Sequence, residues 1–215
     1  MLGLIFSVIT GYLLGSIPTS IAVGKILRGV DVRDYGSGNA GFTNAYRVLG
    51  LWPAIFVLAV DVLKGAAAVI VASQIAHPDW VLSPASVKVI AGIAAILGHI
   101  WTVFAGFRGG KGVATTAGVL AALTPLGILV ALAIWGLVVL STRYVSLGSI
   151  TAAVSIPIFM VIQKFAVHRD VPPEILAFTF LIGVLIIFTH RSNIRRLLRG
   201  EEHKFQRRGS PGGGL

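Results

Sequence analysis

The chain is predicted to be an all-α, polytopic integral membrane protein of about seven transmembrane helices, some short or half-spanning. Three observations carry this. Hydrophobic residues make up 55% of the 215 residues and charged residues only 12%, with a mean hydropathy of +0.88, a composition unlike that of soluble domains. The apolar runs reach the roughly 20 residues that a helix needs to cross a bilayer. They are also continuous, whereas a transmembrane barrel alternates polar and apolar residues with period two.

The first run, residues 2–27, closes on Lys25 and Arg28 and offers Gly11, Gly15 and Ser16 for close helix contact. No Lys or Arg precedes it and no small-residue cleavage site is evident, so it reads as an uncleaved first helix. Residues 29–50, GVDVRDYGSGNAGFTNAYRVLG, are too polar for hydrocarbon and read as a loop or a wet cleft. Residues 51–75 form the second span. Its Asp61 and Lys64 lie three apart on one face and can pair, a structural pair being favoured over a proton relay. A short loop, 76–86, carries His77 and Asp79, and the third span, 87–107, brings His99 near its far end.

Residues 113–123 are only eleven long before Thr124-Pro125. At ~1.5 Å per residue they cover about half of a ~30 Å hydrocarbon core, which predicts a half-helix starting at the GGKG turn. Residues 126–140 form a short span, and the polar STRYVSLGS (141–149) follows. The last spans are 150–165 and 173–189, separated by a polar loop at 167–171. Residues 1–190 are therefore expected to form one transmembrane domain. Residues 191–215 are expected to form a basic cytoplasmic tail with a disordered Gly/Ser/Pro end.

Of the 18 Lys and Arg residues, Lys88, Lys164 and Arg169 fall on one side, Lys64 lies inside a span, and the rest share the opposite face. The positive-inside rule places that face in the cytoplasm and the N-terminus outside, as in a multi-pass membrane protein. The net charge of +10 is thus explained by orientation and by anionic membrane lipid, with no nucleic-acid partner expected. The same orientation gathers the glycine-rich polar stretches at the cytoplasmic face.

The richest stretch is GHIWTVFAGFRGGKGVATT, residues 98–116. Gly109, Gly110, Lys111 and Gly112 directly before a helix suit an anion: glycine lets N–H groups converge, the helix start adds its positive end, and lysine adds a full charge. The alternative is a tight turn whose basic residues only set orientation. In GSGNAGFTN (36–44), Ser37, Asn39, Thr43 and Asn44 are uncharged donors with Arg47 one turn beyond, a set suited to a phosphate or polyol or, alone, to a capped turn. His99 is a candidate general base or ligand contact, since polar groups within spans are costly. Arg143, Ser146 and Ser149 share a face if their helix starts early, and His190 and Asn193 have the same spacing. Glu201 and Glu202 read as part of an interfacial tail.

Other chemistries lack their signatures. GFRGGKG is not a Walker A loop, because Ala105 replaces its first glycine and Gly112 its Ser/Thr. There is no His-x4-Asp box, no G-x-S-x-G elbow and no His/carboxylate cluster with metal spacing. Absence of cysteine excludes thiolate catalysis, thiolate metal sites and disulfides.

Four ordered blocks, GSGNAGFTNAYRVLG (36–50), GHIWTVFAGFRGGKGVAT (98–115), RYVSLGSI (143–150) and HRSNIRRLLRGEEHKF (190–205), resemble the bacterial acyl-phosphate:glycerol-3-phosphate acyltransferases, the PlsY family. The resemblance implies a seven-helix enzyme without cofactor or metal. It would move a fatty acyl group from acyl phosphate to the 1-hydroxyl of glycerol 3-phosphate, giving lysophosphatidic acid and phosphate in the first step of phospholipid synthesis. It implies His99, Ser37 and Lys111 as catalytic residues. Arg47, Asn39, Asn44, Gly109, Gly110, Gly112, Arg143, Ser146, His190 and Asn193 would bind substrate. His99 or the substrate phosphate would accept the hydroxyl proton. Phe42, Thr102 and Thr189 depart from the family's usual alanine, proline and basic residue, which implies a narrower pocket and a looser turn after His99. A transporter of a small phosphorylated anion is the alternative from another class, and a lipid-phosphate phosphatase a third, disfavoured by the missing metal cluster.

Overall fold

The computed structural model describes residues 2–75 and 82–205. His77, Asp79 and the end of the tail lie outside the described residues. Among the described residues, regular structure consists of α1 (Leu2–Gly15), α2 (Thr19–Arg28), α3 (Phe42–Leu49), α4 (Leu51–Ile75), α5 (Pro84–Ile100), α6 (Val113–Leu123), α7 (Pro125–Thr142), α8 (Val145–Phe165), α9 (Pro173–Thr189) and α10 (Arg191–Leu198), with 3-10 turns at Val32–Asp34 and Val103–Ala105. Seven apolar segments appear, as expected. Five are long and apolar enough to cross a membrane: Leu2–Arg28, which joins α1 and α2, Leu51–Ile75, Pro84–Ala105, Pro125–Thr142 and Val145–Phe165. Joined to α10 across a 60° bend, α9 makes a sixth, and α6 is the short one.

Several boundaries differ from the sequence expectation. The first run breaks after Gly15, because Pro18 lacks an N–H and biases Ile17 away from helical geometry. The carbonyls freed there are recaptured: Lys64 Nζ donates to Ile17 O at 2.9 Å, and the Thr102 hydroxyl donates to Ser16 O. Thr102 therefore ties the turn after His99 to the broken helix, where a looser turn was expected. The polar stretch 29–50 contains α3, an amphipathic helix that packs on α4. Finally, α8 starts at Val145, placing Ser146 in its first turn, and α10 makes the start of the tail helical.

The long helix α4 is the centre of the bundle, touching α1, α2, α3, α5 and α6. α7 and α8 form a hairpin, and α9 lies against α8 and α5. The largest core cluster joins these elements through Ile96, Val119, Leu120, Ile156, Phe178 and Ile182. α7 buries only Gly127 and Ala131, and its large side chains such as Leu129, Leu137 and Leu140 face outward, as a lipid-facing helix requires. The helix ends bearing Lys111, Ser146 and His190 are thereby brought to one side.

Candidate active site

A cavity of about 450 Å³ opens among α3, α4, α6, α7, α8 and α9. Its polar end is lined by Ser37, Asn39, Arg47, Lys111, Ser146 and Asn193, each at or beyond a helix end or on α3. Its apolar end runs between the helices and is lined by residues such as Leu120, Ala131, Trp135, Ala153, Ile156 and Ile182. Asn44, His99, Gly112 and His190 also line it. Of the thirteen site residues expected from sequence, only Gly109, Gly110 and Arg143 lie outside its lining.

The backbone sets those three apart from the others. The Gly109 and Gly110 amides are turned inward, donating to Ile100 O at 3.0 Å and His99 O at 3.1 Å. Glycine is needed there for contact: a Cβ at Gly110 would sit 2.3 Å from His99 Nε2 and 2.6 Å from Ala40 O. Arg143 ends α7 in the left-handed region, φ 64°, so it does not continue onto the face shared by Ser146 and Ser149. Its side chain is exposed.

The remaining residues form connected layers. Asn44 is fully buried and organises the first loop. Its Nδ2 donates to Val32 O (2.7 Å) and Tyr35 O (3.1 Å), and its Oδ1 accepts the Ser37 N–H (2.8 Å). Asn44 thus positions Ser37, with its own amide already engaged. Asn44→Ala is expected to cost about 2–3 kcal/mol of stability, near 1 per lost bond, read as a lower midpoint of thermal unfolding in detergent. Arg33 pairs with Asp31 at 2.7 Å and donates to Ala105 O and Arg108 O, both at 2.9 Å, clamping the 29–41 segment to the turn before Lys111.

Lys111 Nζ donates to Asn193 Oδ1, and Asn193 Nδ2 donates to Glu202 at 2.6 Å. Ser146 Oγ and Arg196 Nε reach the same carboxylate at 2.8 and 2.7 Å. Burial pushes the Lys111 ammonium down to about 8; Glu202 opposes this, and the nearby Arg196 and Arg47 reinforce it. His190, just past the end of α9, is 3% exposed. Its Nδ1–H donates to Ile186 O at 2.8 Å, so the neutral ring leaves Nε2 as an acceptor.

His99 is 7% exposed and its Nδ1 lies 3.6 Å from Asp61 Oδ1. The same carboxylate oxygen pairs with Lys64 at 2.7 Å and accepts from the Thr19 hydroxyl at 3.2 Å. The Asp61–Lys64 pair thus forms inside the bundle and also faces His99, a link sequence spacing did not give. Glu202, Arg196 and Arg33 were likewise not anticipated. For Arg33 the one available signal was its place in a polar segment of an apolar chain; Glu202 and Arg196 gave none beyond lying in a charged tail.

A family model described as glycerol-3-phosphate acyltransferase matches residues 5–200. The chain belongs to the glycerol-3-phosphate acyltransferase family. Among its relatives, the glycerol-3-phosphate acyltransferase of Chlorobium phaeobacteroides (strain BS1) is 42% identical, with 95% of this chain and 97% of the relative covered. That of Chlorobaculum tepidum is 42% identical with the same coverage. Among solved structures, the chain is similar to crystalline PlsY, an integral membrane glycerol 3-phosphate acyltransferase, in its glycerol 3-phosphate form. The TM-score is 0.84 at 41% identity, covering 94% of this chain and 96% of that one. The lysophosphatidic acid form of PlsY matches with a TM-score of 0.81 at 41% identity, covering 94% and 95%. In this glycerol-3-phosphate acyltransferase the polar cavity end is assembled from all four blocks picked out in the sequence.

Proposed function

We propose that this acyltransferase uses acyl phosphate as donor and glycerol 3-phosphate as acceptor, both in the one cavity. The observation that carries the reading is a cationic, hydrogen-bonding end continuous with an apolar one, the shape of a phosphate head on a fatty chain. PlsY, crystallised in glycerol 3-phosphate and lysophosphatidic acid forms, supports it. Acyl phosphate is an activated mixed anhydride, so the acceptor can attack it directly. The acceptor oxygen bonds to the acyl carbon, the acyl–phosphate oxygen bond breaks, and the hydroxyl proton leaves with the released phosphate or through a protein base. Lys111 and Arg47 offset the charge of two phosphates held together, Ser37, Asn39, Ser146 and Asn193 orient them, and His190 offers Nε2 to the acceptor hydroxyl. His99, held against Asp61, supports the turn that carries Lys111. The basic face is cytoplasmic, the N-terminus is outside, and the protein resides in the inner membrane, with 1–190 as one helical domain.

The test uses purified protein in lipid with palmitoyl phosphate and glycerol 3-phosphate, following phosphate and lysophosphatidic acid together, with acyl-CoA and acyl carrier protein donors alongside. Equal release of both products from acyl phosphate alone is expected. Lysophosphatidic acid from acyl-CoA alone would sink the donor assignment; none from any donor would redirect attention to phosphate-ester flux in liposomes.

The titration of Lys111 gives a pH prediction. A lysine pushed down carries its charge below about 8 and loses it above. Since the charged form binds phosphate, kcat/KM for glycerol 3-phosphate should be level at neutral pH and fall about tenfold per unit well above 8. In Lys111→Arg the alkaline limb should vanish. An unchanged limb in that variant would assign it to another group.

A further inference from the structure

We propose that Glu202 is a charge filter on the anion seat: it holds the seat against singly charged anions and yields to a doubly charged phosphate monoester. The idea rests on the phosphate-binding reading above and adds the rule by which that seat selects. Glu202 accepts from Ser146 Oγ, Asn193 Nδ2 and Arg196 Nε at 2.8, 2.6 and 2.7 Å. Ser146 and Asn193 are residues assigned to substrate, and Lys111 reaches the same Asn193. A carboxylate of the chain itself thus sits on three converging donors, the arrangement that phosphate oxygens would take.

The carboxylate arrives on a strap. α10 ends at Leu198, Gly200 turns the chain at φ 72°, and residues 201–205 run back across the site without regular structure. Glu201 N–H donates to Arg196 O at 2.8 Å, and Phe205 N–H donates to Arg143 O at 2.7 Å. The Phe205 ring stacks on Tyr46 of α3 with centroids 5.0 Å apart, and Lys204 Nζ lies 5.6 Å from the Tyr144 ring centroid. The strap therefore bridges α3 and the α7–α8 junction by contacts largely at the surface and is anchored through Glu202, whose side chain is 6% exposed.

Selection follows from charge and tethering. A carboxylate on a short tether competes at an effective concentration on the order of millimolar. A phosphodiester headgroup or a fatty carboxylate brings one charge, no more than Glu202 already offers to Arg196, Lys111 and Arg47. A phosphate monoester carries about −1.5 to −2 near neutral pH and adds acceptor oxygens, so it gains what a monoanion cannot. At a membrane face rich in singly charged headgroups, the strap keeps the seat for the doubly charged substrate.

The experiment compares the full-length protein with Glu202→Gln, measuring inhibition of acyl transfer by dimethyl phosphate and by inorganic phosphate, with calorimetric binding of both. The expected result is at least tenfold tighter dimethyl phosphate in Glu202→Gln and at most threefold tighter inorganic phosphate. Phe205→Ala keeps the carboxylate but loosens the strap, so it should move dimethyl phosphate the same way by a smaller factor. Unchanged dimethyl phosphate binding in both variants, with kcat/KM for glycerol 3-phosphate down tenfold in Glu202→Gln, would make Glu202 a positioning residue for Ser146 and Asn193 and overturn the filter. A wild-type protein that binds neither inorganic phosphate nor glycerol 3-phosphate would overturn the seat itself.

Discussion

Replacing Lys111 by alanine is expected to lower kcat/KM for glycerol 3-phosphate roughly a thousandfold, about 4 kcal/mol of transition-state stabilisation, while leaving the protein folded in the membrane. The ammonium sits half-buried at the polar end of the cavity, held by Asn193, with Arg196 and Arg47 nearby. Two phosphates brought together there repel each other, and a cation in a partly water-excluded site offsets more of that repulsion than it would in bulk water. Stability should hold, because burial disfavours this charge and alanine removes it. Arg47→Ala should act in the same direction but less, since Arg47 is more exposed on α3. Initial rates, size-exclusion profiles and thermal midpoints of the purified variants check all three statements. Wild-type rates in Lys111→Ala would remove Lys111 from the site, and a collapsed elution profile would make its role structural.

Lys111, Arg47, Ser146, His190 and Asn193 were legible in the sequence for one physical reason. Polar groups in so apolar a chain are expensive, and theirs cluster at the ends of apolar runs on a single predicted face. The seven apolar segments, including the half-length α6, were legible from hydropathy and from Thr124-Pro125. What hydropathy averages away was not. The break at Pro18 is one residue within a long apolar run, and α3 reads as a polar loop because its apolar face is diluted by Thr43, Asn44 and Arg47. For Gly109 and Gly110 an anion cradle and a tight backbone contact both demand glycine, and only the direction of the amides separates them. The spacing that joined Arg143 to Ser146 presupposed a continuous helix, which the left-handed conformation at Arg143 ends. Glu202 meets Ser146 across 56 residues of sequence, a contact that no local pattern encodes.

Leucine in place of Gly118 is expected to abolish recovery of folded protein, and alanine there to cost activity out of proportion to its size. A Cβ at Gly118 would lie 1.9 Å from the Val62 carbonyl oxygen, and one at Gly65, on the opposing helix, 2.2 Å from the Thr115 carbonyl oxygen. The backbones of α4 and α6 touch at both points. No side chain can rotate away, so any added atom must push the helices apart. Between apolar helices in lipid, close packing is itself a main source of association, since hydrocarbon competes with every apolar side chain. Helix α6 is only eleven residues long and its N-terminus follows directly on Lys111, so a shift of the helix is a shift of the ammonium. A displacement near 1 Å at a positioned group costs on the order of a hundredfold in rate. Gly118→Ala should therefore lower kcat/KM about that much while part of the protein still purifies as a single species. Gly136 on α7, where an added Cβ meets nothing within 4 Å, is the control: Gly136→Ala should be neutral in yield, thermal midpoint and rate. Wild-type midpoint and rate in Gly118→Ala would mean that the α4–α6 contact has slack, and that Lys111 takes its position from its hold on Asn193 instead.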